Sequence, residues 1–122
     1  RRPVYQRGSG VKHYALGRLP TGTMNKTEAA YERDLKDAQA LGDVLWYKFE
    51  AVKLRLADNT FYTPDFAVMA NDGVLEMHEV KGFWQDDARV KIKVAASLYP
   101  FRFIAVQVLP KKQGGGWKRE VF

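Results

Sequence analysis

The spacing of apolar positions changes along the chain, and it predicts two helices. The stretch NKTEAAYERDLKDAQALGD is rich in helix formers, so a helix is predicted over 26–40. Asn25 and Glu28 have the spacing of a capping box, and Gly42 follows as a helix stop. In QDDARVKIKVAASLYP the run VKIKV alternates like a strand, but the acidic start, the helical spacing of apolar residues and the closing Pro100 favour a second helix.

Alternation with a period of two predicts strands in the remaining segments. These are 44–56, 60–63, the segments PDFAVM and VLEMHEVK on either side of the turn ANDG, and FRFIAVQVL. The last segment, PKKQGGGWKREVF, is predicted to be a loose tail. The order of helix, strands, hairpin, helix and strand indicates an α/β fold.

Length and composition bound the class of protein. A chain of 122 residues suits one domain with one core. No apolar run approaches the roughly 18 residues that a membrane span needs, and the absence of cysteine excludes disulfides and thiolate metal sites. The chain begins without a secretory leader, so a cytoplasmic location is expected.

The formal charge of +6 is concentrated at the two ends of the chain. Residues 1–23 carry +5 and form a predicted basic arm, residues 24–110 carry −2 and form the core, and residues 111–122 carry +3 and form a basic tail. Basic arms suit a DNA partner because their cations displace counterions from phosphates, although they also aid solubility. The arm cations are Arg1, Arg2, Arg7, Lys12 and Arg18.

The hairpin YTPDFAVMANDGVLEMHEVKG carries charges where apolar side chains would pack better. Because side chains alternate along a strand, Glu79 and Lys81 end an otherwise apolar face, and Asp65 ends a similar face on the partner strand. A two-residue turn would set Asp65 across from Val80, whereas a three-residue loop over 71–73 would set it opposite Glu79. Only the three-residue loop brings the acids together.

Opposed strand residues have β-carbons roughly 4.5 to 5.5 Å apart, which is close enough for two carboxylates to share one hard cation. Such carboxylates repel each other, so a nearby positive charge is needed to keep both ionised. A divalent metal ion together with Lys81 would supply that charge, and the arrangement suits phosphodiester hydrolysis. The alternative is a structural salt bridge between Glu79 and Lys81 at a strand end.

The dipeptide PD at 64–65 and the tripeptide EVK at 79–81, with a hairpin between them and a helix on either side, resemble the PD-(D/E)XK nuclease superfamily. The predicted order of helix, three strands, helix and strand is similar to the common core of that superfamily. The segments NKTEAAYERDL, YTPDFAV and HEVKGFW resemble short phage and prophage proteins within it. The resemblance implies a restriction-endonuclease-like core with a mixed central sheet.

The resemblance also implies roles for individual residues. Asp65 and Glu79 would be metal ligands, and Lys81 the catalytic lysine. Members of the superfamily often add an acid from the first helix; Glu28 borders the apolar face of that helix and is preferred to Glu32 on its flank, although helix capping explains Glu28 nearly as well. The expected cofactor is Mg²⁺, with Mn²⁺ as a substitute.

These implications favour a metal-dependent DNA endonuclease that selects junctions, flaps or nicks in phage-type recombination or DNA processing. Resolvase-like cleavage needs two active sites and would imply a homodimer. The alternative is a non-catalytic DNA-binding module that retains the fold, but such a module would be expected to have lost an acid or the lysine. A sequence-specific restriction enzyme usually needs more chain for recognition loops.

Other residues have weaker assignments. His78 alternates away from the acids, which argues against a role as general base. Phe83 and Trp84 are expected to pack against the core in preference to stacking on a DNA base. Three basic residues of the second helix either follow a DNA backbone or form a solvated face: Arg89, Lys91 and Lys93.

Overall fold

A computed structural model describes residues 22–83 and 86–122. The five basic side chains of the predicted arm lie outside the described residues, as does Trp84. Within the described residues the elements are, in order, α1 (Lys26–Ala40), β1 (Val44–Phe49), β2 (Leu54–Ala57), β3 (Thr60–Tyr62), β4 (Phe66–Ala70), β5 (Leu75–Lys81), α2 (Asp86–Leu98), β6 (Arg102–Val108), a 3-10 helix (Lys111–Gln113) and β7 (Trp117–Val121).

Five of these strands form one mixed sheet in the order β1-β4-β5-β6-β7. β5 and β6 are parallel, and the other neighbours in this sheet are antiparallel. Parallel strands that follow each other in sequence need a crossover connection, and α2 provides it. β2 and β3 form a separate two-stranded sheet. The predicted α/β class with a mixed central sheet is confirmed.

Both helices lie where the sequence predicts them. Asn25 Oδ1 accepts the Glu28 N–H at 2.7 Å, and Glu28 Oε1 accepts the Asn25 N–H at 2.9 Å, which completes the capping box. Gly42, at φ +88°, takes the left-handed conformation that ends α1. In α2 the buried residues Ile92 and Ala95 follow helical spacing. Across residues 22–83 and 86–122, no helix combines the length and apolar character required to span a bilayer.

The sheet has an apolar cluster on each face. α1 contributes Tyr31 and Leu35 to one cluster, and α2 contributes Ile92 and Ala95 to the other. Neighbouring residues of β4 and β5 alternate between the two clusters, as strand geometry requires. The α1 side contains Phe66, Val68 and Val80, and the α2 side contains Ala67 and Met77.

The prediction of one strand over 44–56 is wrong. β1 ends at Phe49, because Glu50 has a φ of +49° and the chain leaves the sheet there. This conformation is unfavourable for a residue with a β-carbon, so the apolar alternation gave no sign of the break. The part of this alternation from 54 to 56 belongs to β2, which pairs with β3 instead of with the main sheet.

The prediction of a loose C-terminal tail is also wrong. After the 3-10 helix, glycines 114–116 all have positive φ, and they bring β7 back to pair with β6. The Trp117 ring packs edge-on against Tyr31, with ring centroids 5.2 Å apart. Arg89 donates two hydrogen bonds to the Glu120 carboxylate, at 2.8 and 2.6 Å. The basic C-terminal segment is therefore part of the packed structure.

Trp117→Ala is expected to lower the free energy of unfolding by roughly 3 kcal/mol, because it removes a large ring that packs on the α1 cluster. Val121→Ala in the same strand is the control: Val121 is 65% exposed, and its change should stay below about 1 kcal/mol. Urea denaturation of both variants measures the difference. Equal small losses would mean that β7 contributes little to folding.

Candidate active site

The pairing of β4 and β5 places the two motif acids opposite each other. Phe66 lies opposite His78, which is the register that a three-residue loop produces. The loop spans 71–73, and its glycine has a φ of +85°. One further step along this register sets Asp65 across from Glu79. The predicted register is confirmed.

Asp65 is held by hydrogen bonds to two neighbouring segments. Its Oδ2 accepts the Val80 N–H at 2.8 Å, and its backbone carbonyl accepts the Glu50 N–H at 2.7 Å. Glu50 is the residue at which β1 leaves the sheet, so the break in β1 lies directly beside Asp65. The Asp65 carboxylate is therefore fixed against β5 at Val80, the residue directly after Glu79.

Glu79 is a buried carboxylate with two partners. Its side chain is 10% exposed. Tyr62 donates its hydroxyl to Oε1 at 2.7 Å, and Lys81 Nζ lies 3.3 Å from Oε2. Burial, and next the charge of Glu79, raise the pKa of Tyr62, so its hydroxyl keeps its proton and acts as the donor. Lys81 is 39% exposed and connects the buried carboxylate with solvent.

The charges of these groups alter one another's ionisation. Burial raises the pKa of Asp65 far above its ordinary value, and the nearby Glu79 carboxylate raises it further. Burial also raises the pKa of Glu79, against the opposing effect of Lys81 and Tyr62. Partial burial would lower the pKa of Lys81, but the Glu79 and Asp65 carboxylates outweigh it and raise that pKa. Among the described residues, one ammonium thus faces the buried Glu79 and the part-buried Asp65, and a further cation is electrostatically favoured.

Glu28 lies close enough for its charge to raise the pKa of Asp65 and of Glu79, although burial is the larger cause for both. Its carboxylate also accepts the Asn25 N–H, so the capping role is confirmed. No three His, Cys, Asp or Glu side chains in the described part of the chain are grouped as metal ligands. The assignment of Glu28 as a third ligand stays a prediction. Glu32 instead accepts a hydrogen bond from the Tyr47 hydroxyl at 3.2 Å.

Two cavities among the described residues open beside Lys81, on the α2 side of the sheet. The larger, of about 370 Å³, is lined by Glu79 and Lys81, by β3 and by α2 residues that include Lys91. The smaller, of about 280 Å³, is lined by Lys81, Gly82, Phe83 and Ala88. Both cavities share Lys81 and Ala88, so a molecule in either would lie next to the ammonium group.

The other predicted contacts have different positions. Of the α2 cations, Lys91 lines the larger cavity and Lys93 is exposed. Arg89 is not a free surface cation, because it binds Glu120 and its guanidinium lies 5.2 Å from the centroid of the Phe122 ring. Phe83 is 69% exposed, so the expectation that it packs against the core is wrong.

His78 lies on the α1 side of the sheet, as its alternation predicted. Its Nε2 is 2.8 Å from Glu76 Oε1, and its Nδ1 is 2.7 Å from the Tyr31 hydroxyl. A carboxylate only accepts, so Nε2 carries the proton and Nδ1 accepts from Tyr31. Burial lowers the pKa of His78 and favours this neutral form. Glu76 is also bound by Arg102 at 2.6 Å, and these groups form a polar network apart from the motif acids.

Sequence reasoning missed Tyr62. Its hydroxyl contacts Glu79 because β3 lies beside β5 in space. This position depends on the β2–β3 hairpin, whereas the sequence pattern predicted a single strand for the residues of β1 and β2. The sequence signal that could have identified Tyr62 is its position: it ends a predicted strand three residues before Asp65.

No protein-family model matches the chain, and neither a curated protein nor a solved structure is significantly similar to it. The resemblance to PD-(D/E)XK nucleases therefore depends on the motif and on the order of elements.

Replacing Glu79 by Gln is expected to stabilise the metal-free protein at alkaline pH. A carboxyl whose pKa is raised on folding contributes stability below its ordinary pKa, and this contribution is lost as pH rises through the folded value. Glu79→Gln keeps an oxygen for Tyr62 and removes the titration. Its melting temperature should exceed that of wild type by a few degrees at about pH 8 and by little at about pH 4, since one kcal/mol shifts it by roughly 2 to 8 °C.

Glu120→Gln is the matched control with the opposite sign. The hydrogen bond from Arg89 holds the pKa of Glu120 below its usual value, so the ionised form stabilises the fold above that usual value. This variant should melt below wild type at about pH 8, and the difference should vanish on acidification. The interpretation of Glu79 as a strained buried charge fails if both variants melt lower at alkaline pH.

Proposed function

We propose that this protein is a metal-dependent DNA endonuclease with a restriction-endonuclease-like core. One observation carries the proposal: the part-buried Asp65 lies on the strand position opposed to the buried Glu79, and Glu79 and Lys81 line a cavity open to solvent. β2 and β3 form a separate sheet. The remaining elements follow the order α1, the strands β1, β4 and β5, then α2 and β6, with β7 added at the end. This order supports the superfamily assignment that the motif implies.

Asp65 and Glu79 fit a hard divalent cation such as Mg²⁺. They provide carboxylate oxygens, and Mg²⁺ in proteins is commonly held by one or two carboxylates together with water and phosphate oxygens. Repulsion and burial disfavour the charged pair alone, so the site gains stability from a cation. Such an ion would lower the pKa of a bound water and offset charge on the phosphate.

The protein groups have separate tasks in this proposal. Lys81 stays protonated near neutral pH, because the acids beside it raise its pKa. Its ammonium attracts the scissile phosphate and stabilises the charge that increases in the transition state. Tyr62 is a positioning residue, since its hydrogen bond fixes the Glu79 carboxylate.

A non-catalytic DNA-binding module explains the site less well. Placing two carboxylates next to each other, one buried and one part-buried, is costly, and DNA binding alone requires cations at the surface. An acid pair beside a single lysine opposes polyanion binding unless a metal ion joins it. The energetic cost of this carboxylate pair is consistent with a catalytic role for the site.

Lys81→Ala is expected to cut DNA roughly 10²- to 10³-fold more slowly in single-turnover reactions, with DNA affinity changed only a few-fold. Asp65→Asn should lose metal affinity as well as cleavage, because one hard ligand is weakened. The measurements are single-turnover rates and Mg²⁺ titrations with labelled junction, flap, nicked and intact duplex DNA, each repeated in EDTA.

Lys36→Ala provides the control, since Lys36 is an exposed lysine of α1 to which no DNA contact is assigned. It should cut at the wild-type rate, and circular dichroism should show all three variants folded. Full activity of Lys81→Ala would contradict the nuclease assignment and return the motif to a salt-bridged strand end.

The basic arm leads to a separate prediction about DNA affinity. Changing its five cations to glutamine should weaken DNA binding and flatten the dependence of log K on log salt, by about 0.9 for each phosphate that the arm no longer neutralises. Binding is measured at several salt concentrations, with Lys36→Gln on the exposed surface of α1 as a control for the removal of one charge. An unchanged slope would show that the arm makes no phosphate contacts.

A further inference from the structure

Each of the two cavities beside Lys81 contains an aromatic residue in its lining. Phe61 lines the larger cavity and is 42% exposed; Phe83 lines the smaller one and is 69% exposed. The cavities share Lys81, so one phenyl ring is available in each of two spaces that adjoin the same ammonium group. Other large apolar side chains of the described residues are exposed as well, but these two rings are distinguished by lining cavities that also contain Lys81.

The exposure of Phe61 follows from strand alternation. Tyr62 turns inward to Glu79, which leaves Phe61 on the other side of β3. Phe61 belongs to neither apolar cluster of the described residues. Lys53 Nζ lies 4.6 Å from its ring centroid, so a second cation accompanies the ring. The ring is held beside the acid site without filling the core.

We propose that Phe61 and Phe83 stack on unpaired bases next to the scissile phosphate, so that the substrate is DNA with unpaired nucleotides at the point of cleavage. The inference rests on the proposed nuclease function and names the substrate class of the same site. Grooves that bind single strands combine cations with aromatic rings, because every base has a π face. Here Lys81, Lys91 and Lys53 are the cations.

Fully paired DNA cannot use these rings. In a duplex each base face is covered by its neighbours, so a side chain reaches it only after the base has left the stack. The larger cavity, about 370 Å³, lies in the size range of small-ligand sites, roughly 300 to 1,000 Å³, and can receive such a base. Bases that are already unpaired reach the rings without the cost of unstacking.

The test compares cleavage of a duplex with cleavage of the same sequence containing a short central unpaired stretch. Wild type should show a higher kcat/KM on the interrupted substrate. Phe61→Ala should reduce that preference by roughly five- to 150-fold, the effect of removing one ring that stacks on a base, and mainly through KM. Phe83→Ala should act in the same direction.

Three further variants separate stacking from packing. Phe61→Trp should keep the preference, and Phe61→Leu should lose it despite similar apolar bulk. Trp46→Ala removes an aromatic ring of similar exposure, 43%, from the edge strand β1 and should leave the preference unchanged. A 2-aminopurine in the unpaired stretch should be quenched by wild type when Ca²⁺ replaces Mg²⁺ as the hard cation, and should recover fluorescence with Phe61→Ala.

The outcomes distinguish this inference from the function on which it rests. If Lys81→Ala abolishes cleavage but Phe61→Ala and Phe83→Ala keep the wild-type preference and quenching, the enzyme is a nuclease and the stacking role is wrong. If wild type cleaves no substrate, the nuclease assignment fails. In that case, quenching of 2-aminopurine by wild type that is lost in Phe61→Ala would still establish base stacking. Equal cleavage of paired and unpaired DNA by wild type would overturn the substrate class.

Discussion

Gly73, with a φ of +85°, allows the loop between β4 and β5 to have three residues, and the register of the central hairpin follows from it. In strands with a side-chain period of two, a shift by one residue would exchange the two faces of β4 relative to β5. Asp65 would then lie across from Val80, Phe66 across from Glu79 and Ala67 across from His78. The acid pair and both apolar clusters thus depend on the same register.

The central strand β5 carries buried charge on both faces, and the two faces satisfy it differently. On the α1 side, Glu76 is matched by Arg102 and by His78, which in turn binds Tyr31. That network is closed by protein groups alone. On the α2 side, within residues 22–83 and 86–122, two carboxylates face one partly exposed lysine. Buried charge is costly unless it is paired, so the uneven balance is the strongest physical reason to assign chemistry to the α2 side.

Features fixed by neighbouring residues could be predicted from the sequence. The capping box of α1 and the hairpin register depend on a few adjacent side chains and one glycine. Features fixed by distant contacts could not. The break in β1 places Glu50 N–H on the Asp65 carbonyl, and β7 is held by β6 and by the Tyr31 ring, far away in sequence. The role of Tyr62 was missed for the same reason.

The wall of the larger cavity is connected to the acid pair through Tyr62. β2 and β3 form a sheet of their own, and tyrosine hydroxyls anchor both strands: Tyr99 donates to the Arg55 carbonyl at 2.6 Å, and Tyr62 donates to Glu79 at 2.7 Å. A hydrogen bond to an ionised carboxylate is stronger than one to a neutral carboxyl. A cation that keeps Glu79 ionised would therefore also hold the hairpin, and with it Phe61, more firmly against the site.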